Sequence, residues 1–285
     1  MQLTRFESPE AFNQWVEPFL LAHEAEHSLI LGLCLTLIRQ PGYYQNPYLA
    51  LVQEGETILA AALMTPPHRL TLSLTRHSEV FPLFADDIYR DFKTLPGVSS
   101  APELCRAFAE EWRRVSGQDY QLSIAERLYR LDKVNPITGV PGHFRRAVET
   151  DRSLLLEWMA AFEKDAFGAV ETDAAGLQRL VNAMLTSPIR GAYLWEDGVP
   201  VSFSGYGNPT LNGVRIGPVY TPPEYRGRGY ASACVAALSQ HLLDSGRKFV
   251  TLFTDLANPT SNHIYQAIGY NPVLDFDVLD FDMPT

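Results

Sequence analysis

The first forty residues read as helices, because apolar residues recur there at helical spacing. Phe12, Trp15, Val16, Phe19 and Leu20 share one face, and Leu29 to Leu37 continue the pattern, which predicts helices. Two strand-like runs follow in YLALVQEGETILAAALMT. They flank Glu54-Gly55-Glu56, a hairpin signal because glycine takes positive φ without a Cβ clash. APELCRAFAEEWRRVSG predicts a helix that opens on Pro102 and Glu103, aligns Leu104, Phe108 and Trp112, and stops at Gly117. YQLSIAERLYRLDKV alternates as a strand does. The segment NPITGVPGH, residues 135–143, is the expected linker between a domain at 1–134 and another at 144–285.

After the linker the order of parts restarts. FRRAVETDRSLLLEWMAAF predicts a strand and a helix, AYLWEDGVPVSFSGYG a hairpin on Asp-Gly, and VRIGPVY a strand. YASACVAALSQHLLDSG predicts a helix, KFVTLFTD a strand, NPTSNHIYQAIG a short helix, and VLDFDVLDF a last strand. The shared order suggests a diverged internal duplication over two unrelated α/β modules. The first half reads LPGVSSAPELC where the second reads VYTPPEYRGRGYAS, so only the second is expected to carry a Gly-Arg loop.

Composition narrows the function classes. The chain has 285 residues, 46% hydrophobic and 20% charged, with a formal net charge of -10. Such an acidic balance argues against nucleic-acid binding, which needs a basic face to release counterions. Cys34, Cys105 and Cys234 show no metal-ligand spacing, so no metal is expected and buried thiols in a reducing, cytoplasmic setting are the reading. The run LILGLCLTLI is too short to span a bilayer, and no membrane role is expected. Nothing in the pattern sets an oligomeric state.

The stretch PEYRGRGYAS concentrates the chemistry. A helix beginning near Tyr230 leaves its first N–H groups unpartnered, with partial positive charge from the dipole. Gly227 and Gly229 let backbone approach a ligand, while Arg226 and Arg228 add full charges. Phosphate or pyrophosphate suits such a seat. A Walker A loop is excluded because no Lys-Ser/Thr follows the glycines, and the dinucleotide fingerprint fails on spacing and place in the chain.

Arg226-Gly227-Arg228-Gly229-Tyr230-Ala231, between a strand and a helix, resembles the acyl-CoA pyrophosphate loop of the GNAT superfamily of N-acetyltransferases. The family pattern is Gln or Arg, two residues, Gly, one residue, then Gly or Ala; Arg226, Gly229 and Ala231 match it. TDLANPTSNHIYQAIGY resembles the family's second cofactor segment through Asn258, Tyr265 and Ile268-Gly269-Tyr270. The resemblance covers residues 144–285. It implies an α/β (α+β) fold of two GNAT-like lobes, each a mixed, mostly antiparallel sheet flanked by helices, the first lobe degenerate and the second catalytic.

The resemblance also implies roles. The IGPVY strand would splay from its neighbour, exposing Val219, Tyr220 and Thr221 to the pantetheine arm of acetyl-CoA. The Val219 N–H would donate to the thioester carbonyl, and Arg226 to Ala231 would hold the pyrophosphate. Asn258 and Ser261 would bind the cofactor, and Tyr265 would protonate the departing thiolate; for Asn258 a helix N-cap before Pro259 is the structural alternative. A base is less marked: Asp165 and Glu171 would edge the acceptor cleft, Glu224 lies by the loop, and His263 adjoins Tyr265, each with surface solvation as the plainer reading. Asp275, Asp277, Asp280 and Asp282 alternate with apolar residues and read as a solvated strand face rather than a lure for a cationic acceptor. The expected acceptor is a small-molecule amine or a peptide or protein amine. The competing functions are an acyl or aminoacyl transferase with another donor, and a non-catalytic acyl-CoA sensor or interaction module.

Overall fold

The computed structural model describes residues 1–168 and 173–282. Its elements fall in the same order twice. The first series is β1 (Gln2–Arg5), α1 (Pro9–Leu21), α2 (Ser28–Arg39), β2 (Tyr48–Glu54), β3 (Thr57–Met64), β4 (Leu70–Leu72), α3 (Val80–Asp91), β5 (Gly97–Ser100), α4 (Pro102–Ser116) and β6 (Tyr120–Leu131). The second is β7 (His143–Arg146), α5 (Arg152–Phe167), α6 (Ala174–Thr186), β8 (Gly191–Asp197), β9 (Val199–Gly207), β10 (Gly213–Tyr220), α7 (Tyr230–Asp244), β11 (Phe249–Asp255), α8 (Pro259–Ile268) and β12 (Asn271–Phe281).

Strand pairing repeats with the order. β1–β2, β2–β3 and β3–β4 are antiparallel and β4–β5 is parallel. β7–β8, β8–β9 and β9–β10 are antiparallel and β10–β11 is parallel. Parallel neighbours need a crossover, which α3 and α7 supply. Each half is thus mixed, mostly antiparallel sheet with helices against it, the class expected from sequence. Both hairpins turn where glycine permits it, at Gly55 (φ 59) and Gly198 (φ 72).

Packing divides the molecule into two compact units. One holds residues 1–128, 253–259 and the chain from Pro272 onward; the other holds 129–252 and 260–271. Chain order places the linker at 135–143, whereas packing places β12 with the first unit. There β12 pairs antiparallel with β5, Leu279 opposite Val98. Three of its alternating acids meet arginines of that unit: Asp275 with Arg127 (2.6 Å), Asp277 with Arg106 (3.0 Å) and Asp280 with Arg69 (2.5 Å). These carboxylates are ion-paired, not a simply solvated face.

Core composition explains the sheet in each unit. In the first, Tyr48, Ala50 and Val52 of β2 join Phe81, Phe84, Phe108 and Trp112 of α3 and α4. The intervening Leu49 and Leu51 join Phe12, Val16 and Leu31 of α1 and α2. A strand buried on both faces reads as a continuous apolar run, as β2 does. In the second unit Ala192, Leu194 and Phe203 face Leu155, Trp158 and Val181 of α5 and α6. Val214, Ile216, Val250 and Leu252 face Val235 and Leu238 of α7 and Tyr265 and Ile268 of α8.

Two expectations need correction. Gln2–Arg5 is a strand where helices were expected; its pairing with Ala50–Gln53 is distant in sequence and leaves no periodic trace over so few residues. By strand order, the first-half counterpart of the Gly-Arg loop is residues 73–79, between β4 and α3. LPGVSSAPELC is instead β5 and the start of α4. The contrast between halves survives, since SLTRHSE also lacks glycine.

Candidate functional site

β10 has a complete neighbour on one side and a partial one on the other. It pairs with β9 from Arg215 to Tyr220, with a bulge between Ile216 and Val219. Its parallel pairing with β11 covers only Gly213, Val214 and Arg215, opposite Phe249, Val250 and Thr251. Beyond Arg215 the two strands diverge, leaving the β11-facing edge of β10 open to another extended chain. Val219, Tyr220 and Thr221 lie along this fork. Side chains brace them: Ser202 Oγ donates to Tyr220 O (3.2 Å) and lies 2.8 Å from Thr221 Oγ1.

The segment after β10 turns sharply into α7. Gly227 and Gly229 sit at φ 75 and φ 84, and a Cβ on Gly229 would come within 3.0 Å of Val140 Cγ2. Both positions need glycine. Gly229 is the residue before the helix, and Ala233 N–H donates to Gly229 O (2.9 Å). The N–H groups of Tyr230, Ala231 and Ser232 precede the first intrahelical donor, Ala233 N–H, and such a helix start suits an anion. The Tyr230 side chain is committed elsewhere: it is buried, and its hydroxyl donates to Asp197 Oδ2 (2.6 Å), fastening the helix start to the β8–β9 hairpin. Its contribution to the seat is backbone alone.

Arg226 is held on both sides, Nε donating to Thr221 O (2.9 Å) and Nη2 to Asp165 Oδ2 (2.5 Å). Asp165, a candidate base by sequence, is therefore the partner of the loop arginine. Arg228 is exposed, its guanidinium 6.0 Å from the Tyr225 ring centroid. Glu224 and His263 are exposed, and Glu171 lies outside the described residues. Glu163 on α5, unmarked by any sequence signal, is held above the usual carboxylate range by burial and then by the charge of Asp173.

Tyr265 lies in the apolar cluster against which Val219 packs. Its ring meets Tyr270 edge-on at 6.0 Å between centroids, and among the described residues its hydroxyl has no hydrogen-bond partner. Burial pushes its phenol up to about 12. Ser261 is half-buried in the first turn of α8. Asn258 lies in the β11–α8 connection, its N–H donating to Asp255 O (3.1 Å), and packing groups it with the first unit. Structure thus brings Val219 and Tyr265 into one cluster and Arg226 to the foot of the fork, and it leaves Glu224 and His263 exposed at the surface. Among the described residues no group of three or more His, Cys, Asp or Glu is placed to hold a metal ion, and no helix is long and apolar enough to cross a membrane.

Residues 155–270, from within α5 to the end of α8, match the family model described as Acetyltransferase (GNAT) family. This stretch is similar to a GNAT domain. It contains the fork, the Gly-Arg loop, Asn258 and Tyr265. Whole-chain likeness extends to solved structures. A Drosophila protein matches at TM-score 0.66 and 13% identity, covering 98% of each chain. A GCN5-related N-acetyltransferase from Sphaerobacter thermophilus matches at 0.64 and 14%, covering 99% of this chain and 96% of that one. A tandem GNAT protein from the clavulanic acid biosynthesis pathway matches at 0.61 and 14%, covering 100% and 99%. At these identities the likeness is one of fold, and it spans both halves. No curated protein matches the chain significantly. A GNAT domain supports acyl transfer as the class of chemistry.

Proposed function

We propose that the second unit binds acetyl-CoA and transfers its acetyl group to a primary amine, which attacks directly while both are bound. The fork carries the reading: β10 parts from β11 after Arg215, and Val219 on the open edge packs on the cluster that holds Tyr265. The seat fits the donor's pyrophosphate, with positive-φ glycines, helix-start N–H groups and two arginines. The open strand edge fits the amide-bearing pantetheine arm, as a sheet edge accepts another extended chain.

Acetyl-CoA supplies an acyl group activated as a thioester. The Val219 N–H donates to the thioester carbonyl oxygen as negative charge grows there. The Tyr265 hydroxyl donates to the departing sulfur. With its phenol pushed up to about 12, Tyr265 stays protonated across the working range and keeps the proton ready. The same burial raises the thiol's proton affinity above its ordinary value of about 8.5, which narrows the mismatch between donor and acceptor. Arg226 exchanges Asp165 for phosphate oxygens, and a planar guanidinium fork suits both partners. The acceptor is a small-molecule amine or an amine of a peptide or protein. Roles for Asn258 and Ser261 rest on the family resemblance.

Thermal melting with CoA tests the reading. Ligand at about a hundred times its dissociation constant stabilises by about 2.7 kcal/mol, a shift of several degrees. Arg226→Glu and Gly229→Glu should abolish it by placing charge and bulk at the seat. Arg76→Glu, in the counterpart loop of the first half, should leave it intact. Equal shifts in the wild type and all three variants would put the ligand elsewhere.

A further inference from the structure

At the apex of the fork, the face of the second unit's sheet opposite α7 carries an arrangement the donor does not use. Gly205 and Gly207 of β9 follow Phe203 at even spacing, so they share its α6-facing side. A Cβ on Gly205 would come 3.1 Å from Met184 Cε of α6, which confirms that side. Arg215 sits opposite Gly207 on one side and opposite Thr251 on the other, so its side chain leaves the sheet on the same face. Arg190, only 8% exposed, lies flat across Gly207: a Cβ there would be 3.1 Å from its Nη1 and 3.6 Å from its Cζ. The absence of a Cβ at 207 lets the Arg190 side chain lie this close to the sheet.

Arg190 and Arg215 thus lie on one face of the sheet, the first over Gly207 and the second at the β10 position opposite Gly207. Asn208 Oδ1 accepts from Arg190 Nη2 (2.9 Å) and fixes its fork. Next to Arg215, at the last β10–β11 pair, Thr251 is fully buried and its Oγ1 has no hydrogen-bond partner. Natural proteins rarely leave such a hydroxyl unmet, because an unpaired buried polar group costs stability. This cationic spot belongs to a chain whose net charge is -10, so it is not a product of general basicity.

Resting on the acetyltransferase reading, we infer that the acceptor is an amine that also bears an anionic group, a carboxylate or phosphate, which Arg215, Arg190 and Thr251 receive. Guanidinium forks and a hydroxyl are the donors that such oxygens take. Val219 lies four positions beyond Arg215, roughly 13 Å at most along a strand. The anionic end thus lies at the apex while the amine reaches the thioester at the open edge. Arg215 and Thr251 are specificity residues here, with no part in the proton transfers.

Matched amines test this in the CoA-binding protein: glycine and glycinamide, ε-aminocaproate and its amide, phosphoethanolamine and ethanolamine. Two readouts apply, thiol release from acetyl-CoA and amine-dependent melting shifts of the CoA-loaded protein. The wild type should favour an anionic member by about 10- to 100-fold in KM, the range of a charge-assisted hydrogen bond. Which pair shows it separates carboxylate from phosphate. Arg215→Gln and the isosteric Thr251→Val should erase the preference while leaving kcat for the neutral member and CoA affinity unchanged. A purely structural role would affect both members alike. No preference for the anionic member in either readout, or equal losses for both, overturns the inference while CoA binding stands. Absence of CoA binding in the wild type removes the acetyltransferase reading and the inference with it.

Discussion

Tyr265 is the residue where position and chemistry separate most cleanly. Its ring packs against Tyr270 within an apolar cluster, while its hydroxyl has no hydrogen-bond partner among the described residues. Tyr265→Phe keeps the ring and removes only the proton donor. The hydroxyl makes no hydrogen bond that its removal would break, so the melting temperature should change little. Turnover with a cognate amine should fall by about 10²–10⁴-fold, the range of general acid catalysis, with acetyl-CoA affinity little changed. The loss should shrink for an acyl donor with a more acidic thiol. Unchanged turnover under chemistry-limited conditions would leave Tyr265 a packing residue. The motif made the position of Tyr265 legible in the sequence. Its burial was not, because Val250, Leu252 and Val219 come to it from distant strands. Asp165 shows the same limit: nothing near it in the chain announces Arg226 as its partner.

At the scale of elements, the entry to α2 carries a titratable contact. His27 is buried; Nδ1 lies 3.0 Å from Leu20 O, and Nε2 accepts from Leu74 N–H (3.0 Å). Nδ1 must therefore donate and Nε2 accept, which only the neutral ring does. Burial foremost lowers its proton affinity in the folded state. The unfolded chain, with His near 6.5, then binds more protons than the folded one in mildly acidic solution. Stability from this contact is complete above about pH 6.5 and declines as pH falls toward the depressed folded value. Calorimetric melting between about pH 7 and pH 5 should show that decline, and His27→Gln should flatten it. An unchanged slope in the variant would assign the decline to other groups. Hairpins at Gly55 and Gly198 and the helix closed by Gly117 (φ 77) were legible because glycine marks them locally. β1 and β4 were not, since strands of four and three residues carry too few positions to show a period. The loop counterpart in the first half was misplaced for a related reason. Strand order, not local spelling, decides which segment precedes the crossover helix.

At the scale of the molecule, one plan is used twice and equipped once. Both halves run strand, two helices, three strands, crossover helix, parallel strand, helix and strand. In the second, the crossover helix follows Gly227 and Gly229 at positive φ; in the first it follows SLTRHSE, without glycine. A duplication that kept the scaffold twice and the Gly-Arg loop once is consistent with both facts. Packing adds what the sequence left hidden: β12, last in the chain, pairs with β5 and buries Leu279 and Phe281 in the first unit's core. Hydrogen exchange with and without CoA tests the central claim most directly, because it reads every backbone amide at once. Binding at the fork predicts slowed exchange at Val219 to Thr221 and from Gly227 to Ser232, with residues 73–79 unchanged. Protection centred on residues 73–79, or none at the Gly-Arg loop at saturating CoA, would contradict it.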